Sequence, residues 1–106
     1  MQDATMALPV SIESSARRLF PNLPPEQAIV ELLLERAQKN LIKYQTMARG
    51  FKKKYAQDFA SFRKEILASQ PDSTIEQDYF DWELAITGIA DMQEEIKRLK
   101  ALRKKT

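Results

Sequence analysis

The sequence predicts an all-α fold, in which two long helices form an antiparallel hairpin with a short intervening helix. Three observations predict it. Apolar residues recur with alternating steps of four and three for more than three heptads, charge is sorted by sign along the chain, and one strong turn separates the two oppositely charged segments. The apolar stripes are wider than two helices can hide from water, so the hairpin is also expected to be oligomeric.

The sorting of charge indicates how the chain folds back. Nine basic residues and one acid lie in the segment 36–64, whereas the segment 72–95 holds eight acids and no base. The local net charges are therefore about +8 and −8, although the whole chain carries only +2. A reversal near Pro71 sets the acids around 78–83 against bases near Lys54 and Lys64, and the basic tail against Glu31.

Composition excludes several function classes. The chain of 106 residues has no cysteine and no histidine, which removes disulfides, the Cys-His and Ser-His-Asp nucleophile arrangements, and the usual zinc ligands. We therefore expect a non-enzymatic protein with no cofactor and no metal site. No run approaches the ~20 apolar residues of a membrane span and no signal peptide is recognisable, so we expect a cytoplasmic protein that does not contact membranes.

The length fits one folded unit with a short leading segment. Residues 1–23 are expected to form an N-terminal arm or short helix, and residues 24–106 the helical hairpin domain. The segment 11–20 places four apolar residues on one helical face, although residues 8–12 also suit an extended arm. Three prolines at Pro21, Pro24 and Pro25 then interrupt any helix, and Pro25 suits the first position of the next one.

The first long helix is predicted from Pro25 to Lys54. Its heptad seam comprises Val30, Leu34, Ala37, Leu41, Tyr44, Ala48, Phe51 and Tyr55. Gly50 lies within this helix and costs it about 1 kcal/mol relative to alanine, which predicts a kink or an end there. Whether the seam closes within one chain or swaps between two copies is left open by the pattern.

A short helix and a second long helix follow. Asp58 is predicted to cap the short helix, which carries the apolar residues Phe59, Phe62, Ile66 and Leu67. After the turn at residues 70–74, the spacing of Ser73 and Glu76 predicts a capping box that starts the last helix. One face of that helix is predicted to hold Ile75, Tyr79, Trp82, Ile86, Ile89, Met92, Ile96, Leu99 and Leu102.

The start of the last helix is the candidate partner-binding site. It consists of Asp78, Tyr79, Phe80, Asp81, Trp82 and Glu83. Tyr79 and Trp82 share a face, whereas Phe80 is rotated by about 100° from Tyr79, so one aromatic side must point away from the seam. That side either contacts the short helix or serves as a binding anchor, because aromatic residues rimmed by charge are typical hot spots.

Two alternatives use the charges differently. The first is nucleic-acid binding through the basic residues Lys52, Lys53, Lys54, Lys97, Arg98, Lys100, Arg103 and Lys104. The second is a hydrolase that binds Mg²⁺ or Mn²⁺ through carboxylates such as Glu31 and Asp78. The segment expected to face these acids is basic, so a solvated acidic surface with ion pairs is the simpler interpretation, and we assign no metal ligands.

Three segments together resemble a known family. They are Glu31-Leu-Leu-Leu-Glu-Arg36, the run Phe51-Lys-Lys-Lys-Tyr55 followed by Phe59-Ala-Ser-Phe62, and Asp78-Tyr-Phe-Asp-Trp-Glu83. The chain is similar there to the small helical antitoxins of prokaryotic toxin-antitoxin pairs, particularly those paired with TumE-type toxins. The similarity covers about Pro25 to Leu102 and rests on no catalytic motif.

The resemblance implies a protein that binds and neutralises a cognate toxin, as part of an oligomer. The partner contact is then expected at the acidic-aromatic start of the last helix, with Phe80 as the anchor. The chain departs from the family pattern at Ala56, where family sequences often carry glycine after the tyrosine. This departure puts a sharp turn at that point in doubt and allows a more continuous helix.

Overall fold

The computed structural model describes residues 8–103, and these residues form four helices and no strand. The helices are α1 (Val10–Leu19), α2 (Pro25–Tyr55), α3 (Phe59–Leu67) and α4 (Ser73–Arg103). The predicted all-α hairpin is confirmed: α2 and α4 pack against each other along their length, α3 packs on α4, and α1 packs on α2. The first seven residues of the predicted N-terminal segment, and Lys104 to Thr106, lie outside the described part.

The hairpin makes an elongated molecule. Each long helix has 31 residues, which corresponds to about 46 Å at 1.5 Å per residue. The molecule measures 57 × 29 × 24 Å, and its radius of gyration is 19.8 Å, whereas a compact domain of this length would have about 13 Å. Many side chains on the long faces of the helices therefore remain in contact with solvent.

The core consists of two separate clusters. Near the turn between α3 and α4, Phe62, Tyr79 and Trp82 are buried among aromatic and aliphatic side chains of α2, α3 and α4. Near the other end, the buried residues are Leu34, Ala37 and Leu99. We call the first region the aromatic end and the second the leucine end.

Between the two clusters, α2 and α4 approach each other closely. Ala85 and Gly88 are buried in α4, and a Cβ placed on Gly88 would lie 2.6 Å from ring carbons of Tyr44. The predicted α4 face therefore needs correction. Ile86 and Leu102 are 40% and 45% exposed, whereas Ala85 and Gly88 are buried where the two helices meet.

The ends of the helices were predicted unevenly. Pro25 begins α2, as expected, and Asp58 caps α3 by accepting a hydrogen bond from the Ser61 amide at 2.9 Å. The prediction of a capping box at Ser73 is wrong, because Ser73 is already the first residue of α4. Asp72 caps α4 instead, accepting from the Ile75 amide at 2.9 Å.

The break after α2 is sharper than the sequence suggested. The helix does not end at Gly50 but continues to Tyr55. There Ala56 adopts a left-handed conformation with φ of 53° and ψ of 37°, so the sharp turn that the absence of glycine put in doubt is present. A left-handed residue carrying a Cβ costs roughly 1 to 2 kcal/mol, and this turn brings α3 back onto α4.

Candidate functional site

An exposed apolar pair lies on the outward side of α4. Phe80 and Leu84 are 52% and 56% exposed, and their spacing of four residues places them one turn apart on the same side of the helix. Acidic side chains flank the pair, namely Glu76, Asp81 and Glu83. We call these five residues the acidic ridge.

The ridge points outward because the opposite side of α4 is occupied by the core. Tyr79 is 8% and Trp82 2% exposed, and both belong to the aromatic cluster with Phe62. Phe80 follows Tyr79 directly, so its side chain leaves the helix about 100° further round. Its ring still touches that of Tyr79, with centroids 5.5 Å apart, and this contact supports the exposed ring.

The six predicted partner-binding residues therefore separate into two groups. Tyr79 and Trp82 are buried core residues, and Trp82 contacts the rings of Phe51, Phe59 and Phe62 at centroid distances of 5.2 to 5.8 Å. The contact with α3 is thus made by the seam side of α4, whereas the sequence left such a contact open for the other side, where Phe80 is exposed. Phe80 and Glu83 are exposed and Asp81 is half-buried, so these three residues are the ones that reach the surface.

Asp78, the remaining predicted residue, is directed toward α2. Its carboxylate accepts hydrogen bonds from the Lys54 ammonium at 2.6 Å and from the Tyr55 hydroxyl at 2.5 Å. These two bonds, the Lys54 bond foremost, hold the pKa of Asp78 below its usual value. Burial, followed by the hydrogen bond to Asp78, raises the pKa of the Tyr55 hydroxyl. Asp78 therefore joins α4 to the end of α2.

Leu84 belongs to the site but was not identified from the sequence. The available signal was its position four residues after Phe80, since two apolar residues at that spacing share one helix face. It was missed because it falls outside the apolar face that the heptad spacing assigned to the core. Gln77 is a second addition, because its amide donates a hydrogen bond to Asp81 at 3.0 Å and so orients that carboxylate.

The predicted basic residues do not form one surface. Lys52 to Lys54 end α2 at the aromatic end, whereas Lys97 to Arg103 end α4 at the leucine end. Several of them form ion pairs within the chain: Lys54 with Asp78 at 2.6 Å, Arg98 with Glu95 at 3.8 Å, and Arg103 with Glu31 at 3.5 Å. Lys104 lies outside the described residues.

The carboxylates do not converge. Among residues 8–103, no three acidic side chains are grouped so that they could hold a metal ion. Glu31 pairs with Arg103 at the leucine end, far from Asp78 at the aromatic end, so the two acids named in the hydrolase alternative are not brought together. Within the same range no polar or charged residue is fully buried. What the described site offers chemically is contact area and charge.

Comparisons with known proteins add no relative from which a role can be transferred. No protein-family model, no curated protein and no solved structure matches this chain. None of the helices in the described range is both long enough and apolar enough to cross a lipid bilayer.

Proposed function

We propose that this protein is a non-enzymatic protein-binding module that acts as an antitoxin, neutralising a cognate toxin by binding it through the acidic ridge. The observation that carries the proposal is the exposure of Phe80 and Leu84 amid carboxylates on the side of α4 that faces away from the hairpin. Side chains that keep about half of their surface in solvent stabilise the fold less than buried ones do. Their chemistry suits a binding surface.

The chemistry of the ridge defines the kind of surface it fits. An aromatic and a leucine side chain one turn apart can insert into an apolar groove, as helices do when they anchor by residues at i and i+4. The flanking acids favour a partner whose groove is lined by lysine or arginine, because complementary potentials speed association and exclude wrong partners. The segment 72–95 contains no base, so no positive charge on that segment would repel a basic partner.

The resemblance to small helical antitoxins supplies the identity of the partner in this proposal. TumE-type toxins are the family partners that the resemblance names. The proposal accordingly assigns the protein to the cytoplasm, where such a toxin is synthesised together with its antitoxin. Neutralisation follows if the ridge and the toxin's groove form a stable complex that covers the toxin's functional surface.

The proposal is tested by co-expression and by binding measurements. The chain is produced alone and with the product of its neighbouring gene, and complexes are identified by light scattering after size exclusion. We expect a mixed complex, and a neighbour that arrests growth when expressed alone but is harmless when co-expressed. A neighbour that is harmless by itself and does not bind would overturn the antitoxin assignment.

Matched variants locate the contact. Phe80→Ala should weaken toxin binding by about 2 kcal/mol, or roughly thirtyfold, as expected for a central aromatic anchor. Leu67→Ala is the control, because Leu67 is 70% exposed on α3 but lies outside the ridge. It should bind like the wild type. A Phe80→Ala/Leu84→Ala protein that binds the toxin with wild-type affinity would show that the ridge is not the contact.

Nucleic-acid binding remains the alternative function, and the exposed Lys52 and Lys53 at the end of α2 favour it. It is distinguished by salt. Binding that depends on phosphate contacts weakens steeply and linearly on a log-log plot as salt rises, whereas a toxin complex with an apolar centre should weaken much less. Lys52→Ala/Lys53→Ala would reduce that slope without affecting toxin binding.

A further inference from the structure

A groove at the leucine end forms a second exposed apolar surface. Its floor is Leu99, which is 4% exposed, and its walls are Ile29, Val30, Leu33 and Leu102. The volume of the groove is about 330 Å³. Leu33 and Leu102 are 52% and 45% exposed, so apolar side chains from both long helices meet water at this point.

The fold covers the equivalent position at the other end but not this one. At the aromatic end, α3 folds back and packs on α4. At the leucine end, Phe20 at the end of α1 lies beside Leu32. Leu32 points about 100° away from Leu33, because successive helical residues are rotated by that angle. The chain around Phe20 therefore lies on another side of α2 from the groove. Among residues 8–103, no element covers the groove.

The side of α2 that lines the groove carries a symmetric pattern, which continues past the groove to Arg36. Glu26, Ile29, Leu33 and Arg36 lie within one side of the helix at helical spacing. Glu26 and Arg36 are each five residues from position 31, and Ile29 and Leu33 are each two residues from it. In either chain direction, the order is therefore one charged residue, two apolar residues and one charged residue. The first charge is negative in one direction and positive in the other.

This pattern matches itself when two copies run in opposite directions. If two α2 helices cross antiparallel at the level of residue 31, Ile29 of each copy meets Leu33 of the other. Glu26 of each copy then lies beside Arg36 of the other, so one Glu–Arg ion pair borders the apolar contact on each side. A parallel arrangement would instead place Glu26 beside Glu26 and Arg36 beside Arg36, which is repulsive.

We propose that the groove is the interface of a symmetric homodimer, in which a second copy of this chain packs its α2 antiparallel against the first. The interface is isologous, because the same patch serves both copies. The buried centre comprises Ile29, Leu33 and Leu102, and the charged edge comprises Glu26 and Arg36. The acidic ridge lies at the other end of the hairpin, so each copy keeps it accessible.

The first test measures mass in solution. By sedimentation equilibrium or light scattering the wild type should have twice the chain mass of 12.3 kDa. Leu33→Glu should weaken dimerisation at least a hundredfold and give the chain mass, with an unchanged helical circular-dichroism signal. Ile42→Glu is the matched control, because Ile42 is a 61% exposed α2 residue outside the groove; it should remain dimeric.

The second test checks the antiparallel register. Glu26→Arg and Arg36→Glu should each raise the dimer dissociation constant about tenfold, because each creates two like-charge contacts in place of two ion pairs. Mixing the two variants in equal amounts should restore dimerisation, since each copy of the heterodimer then meets opposite charge. The double variant Glu26→Arg/Arg36→Glu should also dimerise like the wild type.

Several results would overturn the proposal. These are a monomeric wild type at every concentration measured, a dimer that survives Leu33→Glu, and a mixture of the two charge variants that binds no more tightly than either alone. Leu33→Glu should still bind the toxin through the ridge, so loss of the dimer and loss of the antitoxin function are separate observations.

Discussion

The two ends of the hairpin differ in what closes them. At the aromatic end, Tyr55 of α2 and two rings of α3, Phe59 and Phe62, surround Trp82. At the leucine end, Leu34, Ala37 and Leu99 form a smaller buried cluster beside an open groove. Ion pairs join α2 to α4 at both ends, Lys54–Asp78 at 2.6 Å and Glu31–Arg103 at 3.5 Å.

This difference predicts that the two ends contribute unequally to the stability of the chain. Burial of apolar area contributes about 25 cal/mol per Å², so the end with more enclosed aromatic surface should contribute more of the chain's stability. The exposed leucines at the other end contribute little within the single chain, and the proposed dimer would cover them. The four predictions below concern this contrast, beginning with the largest effect.

Trp82→Ala should be the most damaging single change, with a loss of about 3 to 5 kcal/mol in the free energy of unfolding, because it empties the centre of the aromatic cluster. Urea denaturation followed by circular dichroism measures the loss. Phe80→Ala, two residues earlier but 52% exposed, is the control and should cost less than about 1 kcal/mol. Equal losses for the two variants would contradict the assignment of the two sides of α4.

Gly88→Ala should destabilise the protein by about 1 to 3 kcal/mol, because the added methyl would lie 2.6 Å from the Tyr44 ring and force the helices apart between the two clusters. Gly50→Ala is a matched control, since a Cβ there meets no atom within 4 Å. That variant should gain about 1 kcal/mol from helix propensity. Thermal melts should show a lower melting temperature for Gly88→Ala and a higher one for Gly50→Ala. An increase for both variants would refute the close approach of the helices at Gly88.

Ala56→Gly should stabilise the protein by about 1 kcal/mol, because glycine adopts the left-handed conformation of this position without the strain of a Cβ. The same substitution at Ala60, inside α3, should destabilise by a similar amount. Chemical denaturation of both variants provides the comparison. If Ala56→Gly were also destabilising, the sharp turn that folds α3 onto the aromatic end would not exist in solution.

Acidification should weaken the aromatic end through Asp78. Its pKa is lowered in the folded state by Lys54 and Tyr55, so its contribution is complete above the ordinary carboxyl pKa of 3.8 and is lost as pH falls through the lower folded-state value. The melting temperature of the wild type should therefore fall more between pH 7 and pH 3 than that of Asp78→Asn.

Glu83→Gln is the control for that titration, because Glu83 is exposed on the acidic ridge and forms no bond with α2 among the described contacts. Its melting temperature should follow the wild-type dependence on pH. If the curves of the wild type and Asp78→Asn ran parallel, the Lys54–Asp78 pair would contribute nothing to closing the aromatic end.

Much of this architecture could be predicted from local signals. The heptad seam from Val30 to Tyr55 and the proline at position 25 predicted α2 to within one residue of its observed end. Charge sorting predicted the direction of the hairpin, and the pairs Lys54–Asp78 and Glu31–Arg103 confirm it. These signals succeed because helix periodicity, proline geometry and charge depend on residue types at short spacing.

The candidate site was predicted only in part, because one segment combines core and surface residues. The run from Asp78 to Glu83 contains buried Tyr79 and Trp82 as well as exposed Phe80. Helical spacing shows that Phe80 points in a different direction from Tyr79 and Trp82, but it does not show which of these directions faces α3. Leu84 was missed because it falls outside the apolar face that the heptad spacing assigned to the core.

The amino-acid order alone was sufficient for the helices, their antiparallel pairing and the end of the molecule at which each charge lies. Tertiary packing decided that Gly88 lies against Tyr44, that Ala85 is buried whereas Ile86 is exposed, and that Ala56 takes the left-handed turn. The physical reason is that an apolar stripe is wider than the line along which two helices touch. Side-chain volumes on the facing helix, which are distant in sequence, determine where that line runs.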